Sequence, residues 1–351
     1  MSFIRRVFSG KSVASRRQHE SRQESPPSHA LDTLPALPTS RRPITPVTPN
    51  PQQLSSPFFK LPPELRQQIY RLLFSRREIH IDVRYTALET STPHSTRGAS
   101  FEPADCWRWR ASTCHRHPDA QPILDRCGWG GLPPTACSLF DTPCVIGKEV
   151  LGLLLCCRLA YCEAVEVLYA ENTFHITTGA LVLYTDRLLP PERSGAVTSL
   201  IYQVTQGSTW DYATSQLKIT PGLPAYEALL LRIPKAFPSL VRLLVVIQAP
   251  LDRKQVWEGF GHNPPNRDSI KDCLLSSMDT VVGGFGKPLV EYVLAMGQRA
   301  FDRLMKKERA DAEIVESRED IWLQFWRPLS IAGGDKALNT GYWVRGVSLE
   351  E

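Results

Sequence analysis

No stretch of this chain approaches the ~20 consecutive apolar residues that a membrane-spanning helix needs. The longest apolar run, Val150 to Cys157, is short and interrupted by Gly152, so no membrane span is expected. The N-terminus lacks the apolar core and small-residue cleavage site of a secretory signal. Cys-x-x-Cys pairs are missing as well: the nine cysteines are odd in number and irregularly spaced. Without a secretory signal they read as reduced thiols of an intracellular protein, cytoplasmic or nuclear.

The signatures of common chemistry are also missing. There is no Gly-x-Ser-x-Gly, no His-Glu-x-x-His and no dinucleotide glycine fingerprint. "GGFGKP" at 283–288 imitates a phosphate loop, but Val281 stands where its first glycine belongs and Pro288 where the magnesium-binding hydroxyl belongs. The expectation is a protein that is not an enzyme and holds no cofactor. The body also lacks an excess of positive charge. Residues 1–56 hold eight of the 41 Lys/Arg and three of the 36 Asp/Glu, which leaves 33 of each beyond them. A neutral body argues against nucleic-acid binding by the folded part, which would need its own basic footprint. The cluster Arg303, Lys306, Lys307 and Arg309 reads as a solvated helix face.

The 1–56 segment is rich in Ser, Pro and Arg and has no sustained periodicity. It cannot bury enough apolar surface to offset the entropy of ordering, and a disordered basic tail is expected. Ser25, Thr45, Thr48 and Ser56 each precede a proline, as sites of proline-directed phosphorylation do. The first nineteen residues contain no acid, and Phe3, Ile4, Val7 and Phe8 would share a helical face. A mitochondrial presequence has that composition, but the basic tail is the simpler reading.

Order is expected from residue 57 to 348 in a single domain. In "FFKLPPELRQQIYRLLF" the prolines suit a first helical turn, and Leu65, Ile69, Leu72 and Leu73 repeat as an amphipathic helix does. That apolar face is either core or a docking surface. "EIHIDV" alternates as a strand. Residues 86–147 hold Trp107, Trp109, Trp129 and five cysteines among prolines and glycines, and read as a long irregular insertion. Within it Cys106, Cys114, His115, His117, Cys127, Cys137 and Cys144 have residue types that suit zinc, but their spacing fits no paired-ligand site. The plainer expectation is a loop that packs its apolar side chains on the domain and holds no metal. Cys156, Cys157, Cys162 and Cys273 read as small core residues.

From Lys148 onward helices and apolar strands alternate. "NTFHI", "VTSLIYQVT", "SLVRLLVVIQ" and "PLVEYVLAM" are strands. "GALVLYTDRLL", "PAYEALLLRIPKAF", residues 268–282 and "QRAFDRLMKKERADAE" are helices, and "FWRPLS" and "GYWVRG" are short extended pieces. The pattern predicts an α/β fold, layered, with mostly parallel strands.

At 100° per residue, Leu151, Leu154, Leu155, Tyr161, Cys162, Val165 and Tyr169 all fall within about 60° of Arg158. The helix is apolar nearly all round, as a central buried one is. A buried guanidinium needs a partner, so Arg158 is expected to lock this helix to a carboxylate, Glu64 or Asp82 being the best placed.

"FFKLPPELRQQIYRLLF" followed by "LLLCCRLAYCEAVEVLYAENTFHI" resembles a large fungal family of F-box-like proteins of unknown function. The first motif is carried by Leu61, Pro62, Glu64, Leu65, Arg66, Ile69 and Tyr70. The second is carried by Cys157, Arg158, Tyr161, Glu163, Ala164, Leu168, Tyr169, Asn172 and Phe174. "FWRPL" and "GYWVRG" are similar to that family too, so the resemblance spans 57–346. It implies an F-box-like N-terminal helix and a non-enzymatic protein-interaction module. It further implies a ubiquitin-ligase substrate adaptor that docks on a Skp1-type adaptor through Leu65 and Ile69. Trp107, Trp109 and Trp129 are the expected partner surface, because aromatic residues dominate binding hot spots. An enzyme without a recognisable motif and a zinc-stabilised nuclear factor are the alternative readings.

Overall fold

The computed structural model describes residues 55–86, 106–114, 152–154, 156, 158–177, 179–205, 208–211, 216–219, 228–248, 268–285, 291–308, 313–316, 321–329 and 341–347. The expectations for the tail up to Leu54 lie outside these residues.

After a 3-10 turn at Pro57–Lys60, helix α1 spans Pro63–Phe74. Pro63 occupies a first-turn position, where a missing amide hydrogen costs nothing, and Glu64 complements the positive end of the helix dipole. Strand β1 (Glu78–Thr86) follows, and β2 (Cys106–Thr113) returns antiparallel to it. Here the expectation of an irregular 86–147 insertion is corrected. Cys-Trp-Arg-Trp alternates across a pleat, and β2 extends the sheet at its edge, with Tyr85 opposite Trp107 and Val83 opposite Trp109. Helix α2 (Arg158–Ala170) leads into β3 (Thr173–Ile176).

The helix expected over "GALVLYTDRLL" is two short ones, α3 (Gly179–Leu183) and α4 (Thr185–Leu188), separated at Tyr184. Then come α5 (Pro191–Ser194), β4 (Ser199–Thr205), a β5–β6 pair (Ser208–Asp211, Gln216–Ile219), α6 (Ile233–Ala236) and β7 (Arg242–Gln248). The chain continues with α7 (Asp268–Gly284), β8 (Glu291–Gly297) and α8 (Gln298–Glu308). It closes with β9 (Glu313–Glu316), β10 (Ile321–Pro328) and β11 (Gly341–Val347). The charged helix thus ends earlier than its composition suggests, because Ile314 and Val315 pair with Leu323 and Trp322 of β10.

The main sheet has nine strands in the order β2-β1-β3-β4-β7-β8-β11-β10-β9. Strands β1, β3, β4, β7, β8 and β11 are each parallel to their neighbours in that series, and the antiparallel pairings lie at the two flanks. This is the α/β, mostly parallel arrangement the alternation predicts. Within the parallel series the spatial order is also the chain order. Each parallel strand is added beyond the last, so crossovers of one hand place their helices on one face.

The side chains confirm it. On the first face, Phe174, Leu200, Leu243 and Tyr292 form a row across β3, β4, β7 and β8. That row belongs to one core with Leu181 of α3, Ile233 of α6, Met278 of α7 and Phe301 of α8. The alternate residues Ile201, Val246, Ala295 and Val347 make a separate cluster on the second face, built from strand residues alone among those described. Strands buried on both faces explain the near-continuous apolar runs in the sequence.

A clamp ties the late helix to the closing strands. Arg327 on β10 donates from Nε and Nη2 to Asp279 of α7 at 3.0 and 2.7 Å, and the Tyr342 hydroxyl of β11 donates to the same carboxylate at 2.8 Å. The "FWRPL" and "GYWVRG" pieces therefore meet on one acid. Among the described residues no helix is long and apolar enough to cross a membrane.

Gly346 marks the closest approach of α8 to the sheet. A Cβ there would lie 2.5 Å from the Phe301 ring. Gly346→Ala should therefore destabilise the domain by about 1–3 kcal/mol through overpacking, read as a lowered denaturation midpoint at unchanged m-value.

Candidate functional site

Two places on this scaffold carry concentrated polar chemistry. The first joins α1 to α2. Arg66 meets Glu163 in a two-pronged ion pair, with Nε and Nη2 donating at 2.9 and 2.7 Å to the two carboxylate oxygens. Its Nη1 donates to the Leu61 carbonyl at 2.6 Å and to that of Phe59 at 3.3 Å. The Tyr70 hydroxyl donates to Glu163 Oε2 at 3.0 Å. The hydrogen bond to Glu163 raises the Arg66 pKa further, against the opposing effect of burial, so the guanidinium stays charged. A pair this enclosed repays its desolvation only when its geometry is good and its spare donors are used, and both conditions hold here.

Around this pair Tyr70, Phe74, Ala164 and Val167 form a small core with Leu154. The small side chains of α2 let the aromatic ones of α1 approach closely. At the far end Asn172 closes both helices. Its Nδ2 donates to the carbonyls of Phe74 (2.5 Å) and Leu168 (2.8 Å), and its Oδ1 accepts from the Arg77 amide (2.8 Å). Carbonyls orphaned at two helix ends and the amide that starts β1 are thus satisfied by one buried side chain.

These contacts decide which side of α1 faces outward. The buried side is Tyr70 and Phe74. Leu65 and Leu72 lie on the opposite side, 43% and 82% exposed, with Ile69 half-buried between them. The stripe that could have been core is therefore divided: Leu73 packs against the small core, while Leu65 and Leu72 face outward.

The burial expected of Arg158 is corrected. Its side chain is exposed on the first turn of α2, and Glu64 is exposed as well. Asp82 accepts instead from the Thr177 amide at 2.9 Å and the Thr177 hydroxyl at 2.5 Å. Along the Arg158 stripe Leu154 and Val165 are buried and Tyr161, Cys162 and Tyr169 half-buried, so the exposure is local to Arg158. Glu163, which lay in the polar window of the wheel, fastens α2 to α1. Arg193 packs over the Tyr161 and Tyr169 rings, its Cζ 5.4 and 6.0 Å from their centroids.

The second place lies on the second face of the sheet. His80 of β1 and His175 of β3 are register partners, and Glu78 precedes His80 by two residues on the same face. Donor atoms of all three lie within 4.8 Å of one another. Nδ1 of His175 is 2.9 Å from Glu78 Oε1, and its Nε2 is 2.6 Å from Gln203 Oε1. The two imidazoles stand 4.5 Å apart, centre to centre. Sequence reading missed this group. Its only trace is a histidine at an alternating position in each of two apolar strands.

The remaining candidates scatter. Trp107 tucks against the main core and Trp109 is 42% exposed on the edge strand, while Trp129 lies outside the described residues. Cys114 is a half-buried free thiol that follows β2. The Cys106 side chain and all of His115, His117, Cys127, Cys137 and Cys144 lie outside the description. Cys156 is exposed rather than core. Val281 is buried within α7, which runs on to Gly284, in keeping with the rejected phosphate loop.

The family model for a domain of unknown function, DUF7730, matches residues 51–258, more than half of the chain, and the chain belongs to that family. The matched span holds α1, α2 and the sheet as far as β7, while β8 to β11 extend the same sheet beyond it. No curated protein and no solved structure matches.

Replacing Asn172 by Ala leaves three backbone groups, one buried and two part-buried, without their side-chain partner and should cost about 2–4 kcal/mol, whereas exposed Arg158→Met should stay within about 0.5 kcal/mol. Equal losses in urea denaturation of the two variants would contradict this assignment.

Proposed function

We propose that this DUF7730 member is a non-enzymatic protein-interaction module that offers the outer face of α1 to a Skp1-type adaptor, and so acts as the substrate adaptor of a ubiquitin ligase. The observation that carries the reading is the outward stripe Leu65–Ile69–Leu72. A single exposed leucine is ordinary on any protein surface. Three apolar residues spaced i, i+4, i+7 on a helix whose other side is pinned by an ion pair have the form of a helix-in-groove anchor set. The F-box-like motif begins at the same residues, which supports the choice of partner. Trp109, exposed on the edge strand β2, suits a separate substrate contact.

The test uses purified full chain and a purified Skp1-type adaptor. Leu65→Asp/Leu72→Asp should weaken binding at least tenfold, while the thermal midpoint stays near wild type because both side chains are outside the core. Absence of binding by the wild-type chain, or equal binding by the folded double variant, would overturn the adaptor reading.

A further inference from the structure

We infer that Glu78, His80 and His175 form a binding site for one first-row divalent transition-metal ion of the zinc type. This inference is independent of the adaptor reading and concerns the opposite side of the fold from α1.

The argument begins with protons. His175 Nε2 faces the amide oxygen of Gln203 at 2.6 Å and Nδ1 faces a carboxylate oxygen of Glu78 at 2.9 Å. Both are acceptors, and a neutral imidazole carries one N–H. With Nε2 donating to Gln203, the Nδ1 lone pair points at the Glu78 oxygen, an arrangement that a metal ion ligated by both atoms completes. His80 supplies the third ligand: its ring centre is 4.5 Å from that of His175, and all three donor atoms already lie within 4.8 Å of one another.

The donor set selects the ion. Two imidazoles and one carboxylate suit zinc and its neighbours rather than calcium or magnesium, which prefer all-oxygen shells. Gln203 then has the role usual for a residue behind a ligating histidine. Its acceptor holds the far N–H, which fixes the tautomer and turns the other nitrogen to the metal. All four residues sit on adjacent strands β1, β3 and β4, so the sheet holds them in place before any ion binds. His175 is fully buried and His80 is 7% exposed, while the Glu78 side chain keeps 17% of its surface and gives a way in. Three protein ligands leave a coordination position for water or a further group.

The test loads chelator-treated full-length protein with Co2+, whose spectrum reports its ligands. The expected result is one equivalent taken up, with a visible ligand-field band and no sulfur charge-transfer band. Zinc should compete for the site and raise the thermal midpoint. Glu78→Gln, an isosteric change at the partly open ligand, and His80→Gln should each weaken uptake at least tenfold and abolish the zinc-dependent rise, with far-UV circular dichroism unchanged. Failure of the wild-type protein to take up Co2+ would overturn the proposal and leave His175 an ordinary hydrogen-bonded histidine. A thiolate band, or uptake undiminished in Glu78→Gln, would place the ion on the cysteines elsewhere and overturn it equally.

Discussion

The Arg66–Glu163 ion pair connects two parts of the chain that are 97 residues apart and sets the orientation of α1 and the turn before it. Arg66 sits one turn into α1, and its planar fork can satisfy the carboxylate only when that side of the helix faces α2. Tyr70, one turn further on, adds its hydroxyl to the same carboxylate and its ring to the small core. The guanidinium also draws in the carbonyls of Phe59 and Leu61, so the turn before α1 is fixed with it. Once this side is committed inward, the geometry of a helix commits Leu65, Ile69 and Leu72 outward. The proposed docking face is a consequence of the lock behind it.

The rest of the fold follows a simple rule. Parallel strands added in chain order gather the described helices on one face, where residues from Ile79 to Val344 share a core. The Asp279 clamp does for the closing strands what Glu163 does for the first helix. In both cases an arginine and a tyrosine converge on one acid, from a single helix at Glu163 and from two strands at Asp279, and both prongs of the guanidinium are used. The second face is then left to strand residues, and there the histidines of β1 and β3 come side by side.

Much of this was legible. Strands such as "SLVRLLVVIQ" and "PLVEYVLAM" stand out because both of their faces are buried, and the alternation with helices predicts a parallel sheet. Other features depended on facts that no local window contains. Helix α1 has two apolar stripes, Leu65–Ile69–Leu72 and Tyr70–Phe74, and only the position of Glu163 decides between them. A helical wheel places Arg158 among apolar neighbours but does not show that its own side chain reaches solvent while Leu154 and Ala160 beside it are buried. Cys-Trp-Arg-Trp looked like a loop because prolines and glycines surround it, yet its alternation was enough for an edge strand. The Glu78–His80–His175 group needed the β1–β3 register, which hydrophobic patterning does not supply.

The account stands or falls on whether Arg66 and Glu163 act as a unit. The most direct measurement is a double-mutant cycle on the full chain, with Arg66→Met, Glu163→Met and the double variant unfolded in urea. A coupled pair should give an interaction energy of about 1–3 kcal/mol, with the double variant much less damaged than the sum of the single ones. Losses that add to within about 0.5 kcal/mol would mean that the two side chains contribute separately. The orientation of α1 would then rest on Tyr70 and Phe74 packing alone, against the central claim made here.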